Sequence, residues 1–571
     1  MIRKERRIEE LAIVKETGAY ESSAITPPIG RAELEKLNVI LQRYKAGKRH
    51  LERRVQSAER WWKLRNAFEE GRSTDPKNGG FRAESSWLHN VIMSKHADAM
   101  EAYPVPNILP RGEEDREQAD ALSKIVPIVL RQNDFEQVYD EAAWQKLKTG
   151  TGVYKVIWDS NKLNGLGDIS VTRRSLLNLF WEPGISDIQD SRYVFDIDIV
   201  DIDLLTEQYP QLKGESISAV KTAERMPTDD RVPLDGKAEL IDCYYKKNGL
   251  LHYVKYAGGT LIYATENDAE KRETGLYEHG MYPYVFDVLY PVEGSPPGYG
   301  YVDVCANAQT RIDLINTALL RNTLSGATPR YFVRSEGGIN EEEFLNLEIT
   351  LVHCSGDLGE DSIRSLGSAA LSGNHVNVLI NTVDELRETS GNTDTSTGNI
   401  SSGVTAAAAI AALQEAAGKG SRAAVKASYR AYAAVVNIVI ELIRQFYDVP
   451  RQFRITGDMG GMEFIRFSNA LMKPQWQGEY GGMDLGCRLP VYDIDIVPEK
   501  QSTYSKLAQN EMALEFFRSG LFDPAIADQA AACVDMMDFD NKERVMEGII
   551  RRNRIYMLTE KGINDTDNYQ Q

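Results

Sequence analysis

Histidine and cysteine are scarce: the 571 residues hold seven of the first and five of the second. The cysteines (Cys243, Cys305, Cys354, Cys487 and Cys533) are dispersed, with no CxxC pair. That pattern excludes a disulfide framework, argues against a dedicated zinc site and fits a reducing compartment. The histidines show no ligand-like spacing. Enzyme motifs are missing too, with no G-x-x-x-x-G-K-[ST], no H-E-x-x-H and no G-x-S-x-G. AAGKGS at 416–421 lacks both the spacing and the preceding strand of a phosphate loop. No apolar run reaches the length of a membrane span; the longest, Val404–Leu413, is mostly alanine. The opening MIRKERRIEELAIV has no apolar h-region, so no signal peptide is expected. The expectation is a soluble intracellular chain with no membrane partner, no metal, no cofactor and no catalytic role.

What is present is a globular composition, 42% hydrophobic and 26% charged, with apolar mass for several cores. Lys plus Arg is 66 against 84 for Asp plus Glu, a net charge of −18. An acidic chain does not bind DNA over its whole surface by counterion release, though a local basic patch remains open.

The pattern reads as helices first and antiparallel sheet after. Leu34, Leu37, Ile40 and Leu41 recur at helical spacing within 31–70, and further helices fit 87–102 and 113–148. Val153–Trp158 is strand-like, and 192–203 alternates Phe195, Ile197 and Ile199 with Asp196 and Asp198. Asn248-Gly249 and Gly258-Gly259 predict hairpin turns within a meander over 238–263. GSPPGYG (294–300) reads as a hinge. Ile312, Ile315 and Leu319 then mark one helix, and Val376, Leu379, Ile380, Val383 and Leu386 mark a second. Strand-like YFVR and LEITLVH lie between them. NTDTSTGNISSGV (392–404) is a polar loop by composition. A long helical stretch over 405–446 follows, with a kink expected at Gly418 and Gly420. Strands return over 452–497, and three short helical segments fit 501–560.

Four charged patterns carry candidate chemistry. DIDIV occurs at 196–200 and again at 493–497, each copy placing two carboxylates on one strand face. Such a pair could hold Mg²⁺, but the expected role is the solvent face of a half-buried strand. Residues 31–65 hold eleven basic and four acidic side chains and end near Trp61-Trp62. That is either a nucleic-acid-binding stretch or a salt-bridged helix. Lys419, Arg422, Lys426 and Arg430 form a helical stripe facing either phosphates or ion pairs. The segment 326–373 has three basic and eight acidic residues, and Glu341, Glu342 and Glu343 follow a capping Asn340.

The order of these pieces resembles the portal (head-to-tail connector) protein of tailed bacteriophages. The resemblance is carried by YPVEGSPPGYGYVDVCANAQTRIDLINTALLRNT (290–323) and NHVNVLINTVDELRETSGNTDTSTGNISSGVTAAAAIAALQEAAG (374–418). KTGTGVYKVIWD (148–159) and NLFWEPGISDIQDSRYVF (178–195) add to it, and it covers roughly 85–571. It implies an α+β portal fold with wing, stem helices, clip, long kinked tunnel helix and helical crown, assembled as a ring. The regions would be an N-terminal arm and helices at 1–84, wing at 85–300, stem helix 1 at 301–325, clip at 326–373 and stem helix 2 at 374–390. The tunnel loop would be 391–404, the tunnel helix with the remaining wing 405–500, and the crown with a polar tail 501–571.

The resemblance further implies a homo-oligomeric ring, usually of twelve subunits, at one capsid vertex. The ring would be the channel for double-stranded DNA in packaging and ejection. Its partners would be the major capsid protein, scaffold as an optional assembly aid, terminase and a head–tail adaptor. The location would be the virion, with host cytoplasm during assembly. Asn392, Thr393, Asp394, Thr395, Ser396, Thr397, Asn399, Ser401 and Ser402 would face DNA. Glu341, Glu342 and Glu343 would lie where partners dock on the clip. Ile312, Ile315, Leu319, Val376, Leu379 and Val383 would pack the stem. The basic stripe would face the tunnel or pair across the subunit interface, the interface being favoured. The competing classes are a metal-dependent nucleic-acid enzyme built on the DIDIV strands and a helical nucleic-acid-binding protein built on 31–65.

Overall fold

The computed structural model describes residues 28–62, 83–213, 236–327, 330–333, 340–345, 353, 355, 363–366, 373–392, 419–456, 462–477, 479–480, 483–484, 486–498, 514–521, 523, 527–535 and 545–552. The chain divides into two compact units, Met1–Ala99 with Pro106–Ile496, and Met100–Val105 with Val497–Gln571.

The first unit opens on helix α1, Arg31–Trp62. Its stripe of Leu34, Leu37, Leu41 and Tyr44 is buried, as the 3.6-residue period requires of an amphipathic helix on a core. Helices α2 (Trp87–Glu101), α3 (Arg116–Gln132) and α4 (Phe135–Thr149) follow. Two antiparallel sheets come next. One has three strands in the order β2-β1-β8, where β1 is Thr151–Asp159, β2 Asp168–Arg173 and β8 Tyr284–Val288. The other runs β3-β4-β5-β6-β7 through Leu179–Trp181, Tyr193–Asp201, Lys237–Lys247, Leu250–Ala257 and Thr260–Ala264.

Both expected hairpin turns are present. Asn248 and Gly249 have φ of 54° and 80°, and Gly258 and Gly259 have φ of 58° and 89°. Positive φ at both central residues matches the right-handed twist of the flanking strands. The α1 stripe packs on the five-stranded sheet against Phe195, Ile197, Ile241, Cys243, Val254 and Tyr256. The mixed content, helices then antiparallel strands, is α+β.

The GSPPGYG segment is not a free hinge. Its residues Ser295–Tyr299 form a strand paired with Tyr290–Val292. A Cβ on Gly300 would lie 2.6 Å from the Lys148 carbonyl oxygen and 2.7 Å from the Gly150 nitrogen. Glycine there lets two backbones cross, which fixes where the next helix leaves the body.

The second unit is a small helical cluster. Helical turns at 514–518, Ala527–Asp535 and 545–552 match the three short segments expected from sequence. Ala530, Val534 and Ile549 form its core. Among the described residues no helix of either unit is long and apolar enough to cross a membrane.

Candidate functional site

Helix α5 spans Tyr301–Ala327, and helix α7 spans Gly373–Ser390. Between them β9 (Arg330–Val333) pairs antiparallel with β10 (Ile363–Leu366). That ladder turns the chain round, so α7 returns along α5. Ile312 is fully buried in the seam with Leu386, while Leu379 and Val383 are half-buried against them. Arg311 donates to both oxygens of Glu385 at 2.7 Å. Ile315 and Leu319 are half-buried. Val376 departs from expectation: it is 45% exposed and outside the seam. It lies within about 20° of Val383 on the helix, so its exposure comes from its position in the first turn of α7, a turn before Leu379, the first residue packed in the seam.

A polar stripe that sequence analysis missed anchors the hairpin to the body. Gln309, Asp313 and Thr317 recur every four residues on α5. The Ala83 amide donates to Thr317 Oγ1, the Ser85 amide and hydroxyl donate to Asp313, and the Leu88 amide donates to Gln309 Oε1. The Leu88 amide is a first-turn donor of α2 satisfied by a neighbouring helix, and the Ala83 and Ser85 amides belong to the segment leading into it. The four-residue spacing was the available signal.

The insert between α5 and α7 is described only in part. LEITLVH lies outside the described residues apart from His353, and β10 was not anticipated. Asn340 precedes the short helix α6 (Glu341–Leu345), and its side chain accepts from the Glu343 amide at 3.4 Å. The three glutamates are not equivalent. Glu342 is exposed, and the Glu341 side chain lies outside the described residues. Glu343 folds back: the His353 amide donates to its Oε2 at 2.7 Å, and His353 Nδ1 lies 2.8 Å away. These bonds hold the Glu343 carboxyl below its usual pKa. Glu343 is therefore not a free docking charge.

Helix α7 ends in a Schellman cap. Gly391 has φ of 67°, its amide donates to the Glu388 carbonyl, and the Asn392 amide donates to the Arg387 carbonyl. Asn392 corrects the sequence reading: it is 6% exposed and does not face outward. The Ser94 hydroxyl donates to its side-chain oxygen at 3.2 Å, because a buried amide side chain must find a partner. Thr393, Asp394, Thr395, Ser396, Thr397, Asn399, Ser401 and Ser402 lie outside the described residues.

Helix α8 is described from Lys419 to Phe446, about 42 Å at 1.5 Å per residue. Gly418 lies outside the described residues. Gly420 is helical, so the described chain has no break there. Ser421, Ala424 and Ser428 face the body at i, i+3 and i+7. Lys146 donates to the Ala424 carbonyl at 3.0 Å and to Ser428 Oγ at 2.7 Å. The Ser428 hydroxyl donates to Asp287 Oδ2 at 2.8 Å. Asp287 Oδ1 is 2.7 Å from Lys146 Nζ, an ion contact without hydrogen-bond geometry. Arg422, Lys426 and Arg430 are exposed, and 100° per residue puts them on roughly the opposite side of α8. The Lys419 side chain lies outside the described residues.

The two DIDIV copies have opposite fates. Asp196 was expected on a solvent face; it is 1% exposed. Phe195 and Ile197 face α1, and the other side of β4 is covered by the three-stranded sheet. Lys155 on β1 donates to Asp196 at 2.8 Å, as does Tyr284 on β8. Arg174 donates its Nε at 2.6 Å to Asp196 and an NH2 at 2.6 Å to Asp198. Asp196 also stands directly across the ladder from Asp242. Like charges there repel, and Lys155 offsets this by lying 3.6 Å from Asp242 as well. Burial alone would raise the Asp196 pKa; Lys155 and Arg174 outweigh it and hold the carboxyl low.

Asp493, the matching residue of the second copy, is 53% exposed and pairs with Arg111. The Asp196 lone pairs are engaged by protein donors. Among the described residues no group of three or more His, Cys, Asp or Glu could hold a metal ion.

Part of the basic stretch 31–65 is committed to the protein itself, while Arg31, Lys36, Arg43, Arg49, Arg53 and Arg60 are exposed. Lys45 pairs with Glu239 at 3.0 Å, Lys48 is buried against the Leu176 and Leu179 carbonyls, and Arg54 lies 3.7 Å from Asp303. Trp62 stacks on His89 and packs on Trp144.

The architecture defines a class: an α+β body from which a helical hairpin with a small inserted sheet departs, followed by a long helix packed on the body. A family model described as the phage P22-like portal protein matches residues 98–284 and 331–571. The chain belongs to that family, which is structural rather than enzymatic and contributes a component of the phage capsid. No curated protein matches the chain.

Proposed function

We propose that the chain forms a ring, of twelve subunits, at one capsid vertex and that double-stranded DNA passes through its centre in packaging and ejection. The observation that carries this reading is the order of elements. The α5–α7 hairpin bears an acidic insert, and α8 turns small residues to the body and basic residues away from it. On this reading α5 and α7 are the stem and 326–373 is the clip, where terminase and the head–tail adaptor dock. Residues 391–404 form the tunnel loop and 501–571 the crown. The Arg422, Lys426 and Arg430 stripe serves the subunit interface in preference to the lumen. A conduit must not hold DNA, and a chain of net charge −18 limits sticking.

Native mass spectrometry with negative-stain imaging tests the ring. The expected species has a central hole and a mass twelve times 64.1 kDa, about 770 kDa. Monomers alone at every salt concentration, with scaffold present, would remove the reading. Deleting 393–404 while keeping the buried Asn392 leaves rings of the same mass and lowers packaged DNA at least tenfold; loss of the ring would refute the loop assignment. Glu342→Lys weakens terminase or adaptor binding in a pull-down, whereas Glu343→Gln, at a carboxylate already bonded to His353, has a smaller effect. Equal binding by wild type and Glu342→Lys would move the docking surface away from α6.

A further inference from the structure

Lys95, on α2, is 5% exposed. Its ammonium donates to the Gly391 carbonyl at 3.3 Å and to Ser421 Oγ at 3.0 Å. The Ser421 hydroxyl in turn donates to Asp98 Oδ2 at 2.7 Å, and Asp98 lies 3.7 Å from Lys95 Nζ. One side chain thus grips the last residues of α7 and the first turns of described α8, partners 296 and 326 positions away in sequence.

Burying an ammonium is costly unless it is paired and hydrogen-bonded. An apolar residue would fill the space without that cost, but apolar contact has no direction. Two N–H donors aimed at two fixed acceptors do, with the Asp98 carboxylate 3.7 Å away as counter-charge. The end of α7 also carries the negative end of the helix dipole, and the Lys95 ammonium lies just beyond it, on the carbonyl of the capping Gly391.

We propose that Lys95, with Asp98 one turn on, is a positioning residue that fixes the exit of α7 at Gly391 against α8 at Ser421. The inference rests on the portal reading only for its consequence. If 391–404 is the tunnel loop, Lys95 sets where its first end is held and ties that end to α8 at Ser421. The clamp itself is a property of the single chain.

Ser94 supports the assignment, because it anchors Asn392 from the adjacent position of α2. The clamp also differs from the Lys146–Asp287–Ser428 network two turns further along α8. That network touches α8 and β8 but not α7. Only the Lys95 cluster, among these two, reaches both helices.

Amide hydrogen exchange on the purified full-length chain tests this. In Lys95→Met the amides of Gly391 and Asn392, and those of 423–425 on α8, exchange at least tenfold faster. Those of Ile125, Val126 and Ile128–Leu130 on α3 are unchanged. In Ser421→Ala only the α8 amides speed up, since the Gly391 bond to Lys95 survives.

A Lys95→Met variant that loosens one root alone, or that loosens α3 to the same degree, would overturn the clamp. If Lys95→Met fails to fold, Ser421→Ala decides: unchanged exchange at 423–425 overturns it. Because the readout is from amides of one chain, a protein that never forms rings can still pass. A protein that forms rings can still fail.

Discussion

Asp196→Asn lowers the free energy of unfolding by about 3–5 kcal/mol, the usual cost of breaking a buried ion cluster from one side. Asp493→Asn, the same change in the same pentapeptide, leaves stability unchanged. The difference lies in what the carboxylate leaves behind. At Asp196 the buried Lys155 lies 10% exposed and Arg174 17% exposed, and both lose their closest partner. At Asp493 the partner Arg111 is 64% exposed and water replaces the carboxylate.

Urea denaturation of both variants measures this, and pH adds a second check. The folded Asp196 pKa is lowered from 3.8, so its contribution is fully present above that value. It is lost as the pH falls through the lower folded value. The gap between wild type and Asp196→Asn therefore closes in acid, as Asp196 itself takes up a proton. A gap that stays constant down to pH 2, or an Asp493→Asn loss as large as that of Asp196→Asn, would show that the cluster does not stabilise the fold.

The second large effect concerns assembly. Leu314 on α5 and Val378 on α7 are 50% and 53% exposed, and both point away from the hairpin seam. Leu314 stands about 160° round α5 from Ile312, and Val378 about 100° round α7 from Leu379. A thin hairpin with apolar residues on its outer sides needs a second surface to cover them. In the proposed ring the neighbouring subunits would supply it.

Leu314→Asp combined with Val378→Asp therefore converts rings to monomers in native mass spectrometry. Each side chain is already about half covered, so completing its burial is worth about 1–1.5 kcal/mol, and burying the introduced carboxylates adds a further cost. The thermal midpoint of the monomer changes little, because neither residue belongs to a buried cluster among the described residues. Rings that persist in the double variant would exclude these faces from the subunit contact. Ile312→Asp is a poor substitute, since Ile312 is fully buried and its loss would unfold the hairpin itself.

Periodicity and turn chemistry made much of the fold legible. The α1 stripe, the two hairpin turns at Asn248-Gly249 and Gly258-Gly259, and the helices flanking the acidic insert all follow local rules. Period, cap and positive φ act over a few residues and are visible in one sequence. The resemblance to portal proteins rested on the order of those local pieces, and the family match covers most of the chain.

Much of the site was not legible, for one physical reason. Long-range polar contacts leave no periodic trace. Lys95 and Asp98 on α2 give no local hint of Gly391 or Ser421. Asn392 looked like the first residue of a polar loop and is a buried anchor. Glu343 looked like one of three equivalent charges until His353, ten residues away, took it.

The two DIDIV strings make the division sharpest. Alternation determined that each would be a strand with aspartates on one face and apolar residues on the other, and both are strands. What lies against the aspartate face was decided only in three dimensions. For Asp196 it is a second sheet carrying Lys155 and Tyr284; for Asp493 it is a single exposed arginine and solvent. A pleated strand dictates which side chains share a face, while the packing of other elements decides whether that face meets protein or water.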